Sequence, residues 1–128
     1  MHKIFVFVAE DDKKLNQLVC ESLEKEGFQA APAYSAKEAV EKIKKHKYDL
    51  AILDWIFEGE ELDGLDLIQQ IKQKNKKTPV IILSGLTTLA DKARGFEHEA
   101  DDYVPKPFYL PELIMRVKAL LRITGKSK

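Results

Sequence analysis

The chain of 128 residues has the length of one domain, which is enough to bury a hydrophobic core without disulfides or metals. Its 21 Lys and Arg residues balance its 21 Asp and Glu residues, so net charge gives no indication of a nucleic-acid or membrane partner. The single cysteine, Cys20, excludes an internal disulfide and agrees with a reducing compartment. No apolar run approaches the ~20 residues that a membrane-spanning helix needs.

The first third of the sequence twice alternates a short apolar run with an amphipathic stretch. Lys3–Ala9 carries Val, Ile and Phe on both faces, which predicts a strand buried on both sides. Apolar residues at positions 15, 18, 19 and 23 recur at helical spacing, and Gly27 ends that helix. Phe28–Ala33 predicts a second strand, and Pro32 favours an edge position because proline lacks a backbone N–H.

The same alternation continues through the rest of the chain. Ser35 and Glu38 have the spacing of a capping box at the start of a second helix. Three further strands are predicted at Asp49–Leu53, Pro79–Leu83 and Asp101–Val104. Apolar residues at helical spacing predict the helices: Ala36, Ala39, Val40 and Ile43; Leu65, Ile68 and Ile71; Leu89, Ala93 and Phe96; and Leu110, Leu113, Ile114, Val117, Leu120 and Leu121.

Five strand–helix units in a row predict an α/β fold, a doubly wound five-stranded parallel sheet with helices on both faces. In such sheets ligands bind beyond the carboxyl ends of the strands, where the strand order reverses. Polar residues stand at these ends: Glu10, Asp11 and Asp12 after the first strand, Asp54 after the third, Ser84 after the fourth and Lys106 after the fifth. We therefore expect several carboxylates, a hydroxyl and an ammonium group at one edge of the sheet.

This combination of groups suits phosphate chemistry assisted by a metal ion. Several carboxylates near one point bind a hard cation such as Mg²⁺, which offsets their repulsion and gathers phosphate oxygens. Lys106 and the Ser84 hydroxyl would contact the remaining oxygens. One carboxylate turned toward phosphorus would act as a nucleophile and form an aspartyl phosphate.

Over essentially its whole length the chain resembles a receiver domain of two-component response regulators, closest to the winged-helix transcription-regulator subfamily. The resemblance rests on VAEDD after strand one, AILD ending strand three, ILSG ending strand four, and ADDYVPKPF. It implies a flavodoxin-like three-layer sandwich with strand order 2-1-3-4-5 and a receiver domain over residues 1–123. Residues 124–128 are then a tail, expected to be disordered, that begins a linker to an output domain absent from this chain.

The resemblance also assigns the metal site and the phosphoacceptor. Asp54 would accept the phosphoryl group from a sensor histidine kinase or a phosphotransfer protein. Asp11, Asp54 and the backbone carbonyl of Ile56 would ligate Mg²⁺ directly, and Glu10 would hold metal-bound water. Asp12 matches no ligand and is expected to start the first helix. Such a domain catalyses only its own phosphorylation and dephosphorylation, so it is not counted as an enzyme, and it acts in the cytoplasm.

Three further residues would act as the catalytic and switch groups. Lys106 would pair with Asp54 and then with a phosphoryl oxygen, and Pro107 would follow a cis peptide bond. Ser84 would move to hydrogen-bond the phosphoryl group, which would let Tyr103 turn inward.

In the winged-helix subfamily, phosphorylation promotes a homodimer through the fourth helix, the fifth strand and the fifth helix. The resemblance implies crossed ion pairs between subunits, namely Lys92 with Glu112, Asp102 with Arg116, and Glu97 with Lys118. Phe96 and Ile114 would supply an apolar patch. Within one chain, some of these are alternatively simple surface pairs worth only ~0.2–1 kcal/mol. The domain itself would contact no nucleic acid, and its output would be the control of transcription.

The sequence departs from the family pattern at three places. The loop Trp55–Asp63 is two residues longer than usual and carries Glu58 where proline is common. Gly85 stands where alanine is common, and Glu99 replaces a glycine before the fifth strand. The shape of this loop and of the turn before the fifth strand is therefore left open.

Other functions fit the same residues less well. An FMN carrier of flavodoxin type would need a Ser/Thr/Gly phosphate loop after strand one, where this chain has acids that repel phosphate. A haloacid dehalogenase-type hydrolase would need a second aspartate two residues after Asp54, where Ile56 stands. The remaining alternative is a degenerate receiver that binds partners without phosphorylation.

Overall fold

A computed structural model describes residues 3–126 as five parallel strands that alternate with five helices. The strands are β1 (Phe5–Ala9), β2 (Gln29–Ala33), β3 (Leu50–Leu53), β4 (Val80–Ser84) and β5 (Asp102–Pro105). The helices are α1 (Lys13–Lys25), α2 (Ala36–Lys45), α3 (Gly64–Lys74), α4 (Leu89–Glu97) and α5 (Leu110–Ile123). The sheet order is β2-β1-β3-β4-β5, which confirms the predicted fold class and places β2, with Pro32, at an edge.

Each face of the sheet carries its own hydrophobic core. Alternate strand residues such as Phe7 and Leu53 pack with α2 and α3 on one face, and Val8 and Ile52 pack with α1 and α5 on the other. This arrangement explains why the central strands are apolar without interruption, since side chains on both faces of a strand are buried.

Helix α4 packs differently from the prediction. Its apolar residues Leu89 and Phe96 are 84% and 49% exposed, so they do not form a core-facing stripe. The helix contacts the sheet through Gly95, where a Cβ atom would lie 3.0 Å from Ile82 Cδ1 and 3.2 Å from the Tyr103 ring. The absence of a side chain at Gly95 therefore lets α4 approach β4 and β5 closely.

The helix starts agree with the sequence in part. The Asp12 carboxylate accepts a hydrogen bond from Leu15 N at 3.1 Å and begins α1, as predicted. Ser35 Oγ likewise accepts from Glu38 N at 3.0 Å. The carboxylate of Glu38, however, accepts from the N–H of Tyr34 at 2.6 Å, so the reciprocal half of the predicted capping box is displaced by one residue.

Three helices end in the same hydrogen-bonded turn, which requires a left-handed residue just after the helix. Glycine fills this position after α1 (Gly27, φ 92°) and α5 (Gly125, φ 77°). After α4 the position is taken by Glu99 with φ 74°, a conformation that disfavours side chains. In the turn after α5, Lys126 N donates to Leu121 O at 2.7 Å, so the first residues of the predicted tail complete the end of this helix. Residues 127 and 128 lie outside the described residues.

Candidate functional site

The hydrogen-bond ladder of the sheet extends one residue beyond the strand ends, and this positions the site. Glu10 N donates to Ala33 O at 3.0 Å, and Asp54 N donates to Ala9 O at 2.9 Å. After β5, at the same ends of the strands, Lys106 N donates to Ser84 O at 2.8 Å. Since β1 and β3 meet where the strand order reverses, Glu10 and Asp54 are held side by side at the predicted edge.

The side chains of these residues converge on one ammonium group. Lys106 Nζ donates to Glu10 Oε1 and, at 3.1 Å, to Asp54 Oδ2. Carboxylate oxygens of Glu10, Asp11 and Asp54 all lie within 4.8 Å of one another. Lys106 therefore contacts two carboxylates, and the carboxylate of Asp11 lies beside them. This excess of oxygen ligands with negative charge fits a hard divalent cation such as Mg²⁺.

Burial sets the protonation behaviour of the pocket. Glu10 is 2% exposed, and this desolvation raises its pKa to about 7 in spite of the Lys106 hydrogen bond. Burial alone would lower the pKa of Lys106, but the hydrogen bond to Glu10 and the charges of Asp54 and Glu10 outweigh it and raise that pKa. Lys106 is therefore a permanent cation, whereas Glu10 takes up a proton near neutral pH.

Backbone N–H groups hold each of the three carboxylates. Asp54 Oδ1 accepts from Trp55 N at 2.7 Å, and Glu10 Oε2 accepts from Asp12 N at 2.9 Å. Asp11 Oδ2 accepts from the N–H of Glu58 at 3.1 Å. The carbonyl of Ile56 accepts no hydrogen bond from the residues that the structure describes, so it is available to a ligand.

The two switch candidates meet at the loop after β4. Ser84 is buried, and its hydroxyl accepts a hydrogen bond from Leu86 N at 3.1 Å. The hydroxyl of Tyr103 donates to the carbonyl of Leu86. Tyr103 is 6% exposed and thus lies inward in this structure, so its movement on phosphorylation stays a prediction. The peptide bond before Pro107 is cis, as expected.

Asn16 is a site residue that the sequence did not reveal. Its side chain is fully buried on α1, and Nδ2 lies 3.0–3.2 Å from the carbonyls of Val8, Glu10 and Ala33. This contact ties β1, β2 and the backbone of Glu10 together. The only local signal is a polar residue on the buried face, three positions before Val19.

The predicted dimer face can be described in the single chain, and the dimer itself stays a prediction. Ile114 lies on α5, is 8% exposed and packs in the core with residues of α1, so little of its side chain reaches the surface. Arg116 pairs with Asp102 of its own chain at 3.0 Å and with Glu112 at 3.7 Å. Lys118 pairs with Glu26 of its own chain, and the predicted crossed pair with Glu97 of a second subunit stays a prediction. Lys92 and Glu97 lie on α4, and Phe96 is half exposed beside them.

Comparison with known proteins places this doubly wound domain and its acidic pocket in one family. The model of the response regulator receiver domain matches residues 6–118. The chain therefore belongs to the receiver domains of two-component response regulators, a family of signalling domains, which confirms the resemblance stated above.

Individual relatives agree with this assignment. The chain is 35% identical over 117 residues to the response regulator ArlR of Staphylococcus saprophyticus, covering 91% of this chain and 52% of ArlR. It is 38% identical to the transcriptional regulatory protein ResD of Bacillus subtilis, covering 95% and 50%. The chain thus spans about half the length of these curated relatives.

Solved structures share the fold. The receiver domain of the Francisella response regulator 1452 is 38% identical, with a TM-score of 0.86 over 95% of this chain and 99% of that one. A CheY-like receiver domain from Methanospirillum hungatei, 22% identical, superposes with a TM-score of 0.90 over 98% of each chain and supports the fold alone. Among residues 3–126, no helix is long and apolar enough to cross a membrane.

Proposed function

We propose that this receiver domain accepts a phosphoryl group on Asp54 from a sensor histidine kinase or phosphotransfer protein in the cytoplasm, in a Mg²⁺-dependent reaction. The cluster of the Glu10, Asp11 and Asp54 carboxylates, two of which contact Lys106, carries this proposal. An Asp54 carboxylate oxygen attacks phosphorus, and the bond from phosphorus to the donor histidine nitrogen breaks. A degenerate receiver is not favoured, because Glu10, Asp11, Asp54 and Lys106 stand together.

Each pocket residue has a definite part in this reaction. Asp11, Asp54 and the carbonyl of Ile56 would hold Mg²⁺, with Glu10 on its bound water. When bound, Mg²⁺ neutralises charge on the transferred group and orients its oxygens. Lys106 lies 3.1 Å from Asp54 Oδ2 and neutralises a further phosphoryl oxygen. The side chains therefore contribute positioning and electrostatic stabilisation, which dominate phosphoryl transfer.

The test is phosphorylation by acetyl phosphate with Mg²⁺, followed by mass measurement of the intact chain. One phosphoryl adduct is expected, lost in Asp54→Asn and strongly slowed by a chelator. Asp101→Asn serves as the control, because that aspartate lies at the opposite edge of the sheet and should leave the adduct unchanged. An equal yield in Asp54→Asn would place the phosphoacceptor elsewhere.

The proposed output is a homodimer through α4, β5 and α5 that controls transcription. Exposed Leu89 and Phe96 offer an apolar surface on α4, in place of the buried Ile114. Arg116 would exchange its own Asp102 for the Asp102 of a second copy, so the ion pair is kept while the partner changes. Ser84 and Tyr103 border this face and would transmit phosphorylation to it.

Sedimentation velocity with and without beryllofluoride, a phosphoryl mimic, tests the dimer. Association should rise with the mimic and fall again in Arg116→Glu. A chain that stays monomeric at high concentration with the mimic bound refutes the dimer but leaves the phosphorylation proposal intact.

A further inference from the structure

The long loop Trp55–Asp63 has a defined conformation next to the phosphoacceptor. Its two ends are joined, because Gly64 N donates to Trp55 O at 2.6 Å. A side chain at Gly64 would place a Cβ atom 2.3 Å from Asp54 O, so glycine is required for this closure. Trp55 and Phe57 are buried in the core and fix the first part of the loop.

The middle of the loop is attached to a different element, the start of α2. Glu60 Oε2 accepts a hydrogen bond from Ala36 N at 2.8 Å, and Oε1 accepts from Lys37 N at 3.1 Å. These are the first two N–H groups of the helix, which have no partner within the helix itself. A carboxylate at this end is also favoured by the helix dipole. Glu60 therefore acts as a remote cap that docks the loop on α2.

The docked loop reaches the metal-binding acids directly. Glu58 N donates to Asp11 Oδ2 at 3.1 Å, two residues before Glu60 in the chain. Glu60 N in turn donates to Phe57 O at 3.1 Å, in a turn that contains Gly59 with φ 75°. The position of the Glu58 amide is therefore set by a tight turn whose far end is held by the Glu60 carboxylate.

From these contacts we infer that Glu60 is a positioning residue for Mg²⁺ binding. By docking the loop on α2, Glu60 holds the Glu58 amide on the Asp11 carboxylate, which belongs to the candidate metal site. The inference rests on the proposed function, since it concerns the Mg²⁺ ligands of the same site. It assigns a role to the part of the loop where this sequence departs from the family pattern.

The test measures Mg²⁺ affinity without any phosphoryl donor. Trp55 is the only tryptophan in the chain and donates to Asp54 Oδ1, so its fluorescence reports a titration with magnesium chloride. Glu60→Ala should weaken Mg²⁺ binding about twofold to fivefold. Glu60→Gln, which keeps one acceptor oxygen, should lie between that variant and the native chain. Glu61→Ala is the matched control, because it removes the same charge from an exposed neighbour.

Amide hydrogen exchange separates positioning from simple helix capping. In Glu60→Ala, the amides of Ala36, Lys37 and Glu58 should all exchange faster. Faster exchange at Ala36 and Lys37 with unchanged Mg²⁺ affinity would show that Glu60 only caps α2 and would overturn the inference. If Glu61→Ala weakens Mg²⁺ binding as much as Glu60→Ala does, the inference is overturned as well. The net negative charge of the loop would then explain the effect without any contact of Glu60.

The native chain distinguishes this inference from the proposed function. If it binds no Mg²⁺, the metal step of the proposed function fails and this inference fails with it. If it binds Mg²⁺ and Glu60→Ala binds equally well, the inference alone fails.

Discussion

Two lysines contact carboxylates at opposite edges of the sheet, and only one of them, Lys106, lies in the proposed functional site. Lys72 has a 7% exposed side chain and donates to Asp101 Oδ2 at 2.8 Å and to Thr78 O at 2.8 Å. Asp101 Oδ2 also accepts from Val80 N at 2.8 Å, so one cation is matched by one anion and both are hydrogen-bonded. Lys106, with a 25% exposed side chain, instead contacts two carboxylates, Glu10 and Asp54, and a third, Asp11, lies within 4.8 Å of both.

The contrast shows that burial of a charge does not by itself identify a site. The Lys72 side chain is more deeply buried than that of Lys106, yet its pair is balanced and joins α3 to the starts of β4 and β5. The Lys106 cluster instead contains more carboxylates than cations, because Asp11 lies beside the two carboxylates that Lys106 contacts. We therefore propose that this cluster binds a divalent cation, whereas we expect the balanced Lys72 pair to stabilise the fold.

Substitution of the two lysines gives the sharpest test of this contrast. Lys106→Met should slow phosphorylation by acetyl phosphate about a hundredfold, because a preorganised cation at the transferred group is lost. Lys72→Met should leave the rate within about twofold of native, because its pair lies at the other edge of the sheet. Rates are measured by intact mass against time. Similar slowing in both variants would contradict the assignment of a functional role to Lys106 and a structural role to Lys72.

The pH dependence of stability should reveal the desolvation of Glu10 in the pocket. The pKa of Glu10 is about 7 in the folded chain, above its ordinary value of 4.5, so the unfolded chain releases this proton first as pH rises. Glu10 therefore stabilises the fold below about pH 4.5, and this contribution is lost as pH rises through 7. Glu10→Gln should be more stable than native by up to about 3 kcal/mol at pH 8 without Mg²⁺.

Urea denaturation at pH 4 and pH 8 measures this difference, which should vanish at pH 4. Saturating Mg²⁺ at pH 8 should reduce it, because the ion binds the ionised pocket of the native chain. If the native chain is more stable than Glu10→Gln at pH 8 without Mg²⁺, the ionised Glu10 carboxylate stabilises the fold and this prediction is wrong.

Removing a charge from the Lys72–Asp101 pair should have the opposite effect and destabilise the fold. Lys72→Met leaves Asp101 without its cation and is expected to lower the free energy of unfolding by about 1–3 kcal/mol. Urea denaturation with Lys76→Met as the control checks this, since that side chain is exposed. No loss of stability would mean that the Lys72 pair contributes nothing beyond its desolvation cost.

The smallest expected effect concerns the backbone of the turn between α4 and β5. Glu99, two residues before Asp101, holds a left-handed conformation that glycine adopts without penalty. Glu99→Gly should raise the free energy of unfolding by about 0.5–1 kcal/mol, and Gly27→Glu, at the equivalent turn of α1, should lower it by about 1 kcal/mol. Thermal unfolding compares the two variants, and neither should change the yield of the phosphoryl adduct. A less stable Glu99→Gly would show that the side chain of Glu99 compensates for the strained turn.

The sequence alone determined the class of fold and the edge that carries the site. Apolar runs that stop abruptly at Glu10, Asp54 and Ser84 define both a strand and its end. The carboxyl ends of parallel strands share one edge, so local pattern was enough to bring these residues together. Leu89 and Phe96 show where pattern fails, because apolar spacing does not reveal which helical residue faces the core.

Only the tertiary structure decided which groups pair. Lys106 reaches Glu10 across 96 residues of sequence, and Glu60 reaches Ala36 across 24. Asn16 reaches Ala33 across 17 residues, and Lys72 reaches Asp101 across 29. Whether such contacts form depends on how the crossover connections and the long loop fold in three dimensions. The periodicity of neighbouring residues carries no information about this. Charge balance, which separates the site from the structural pair, is therefore a property of the folded chain.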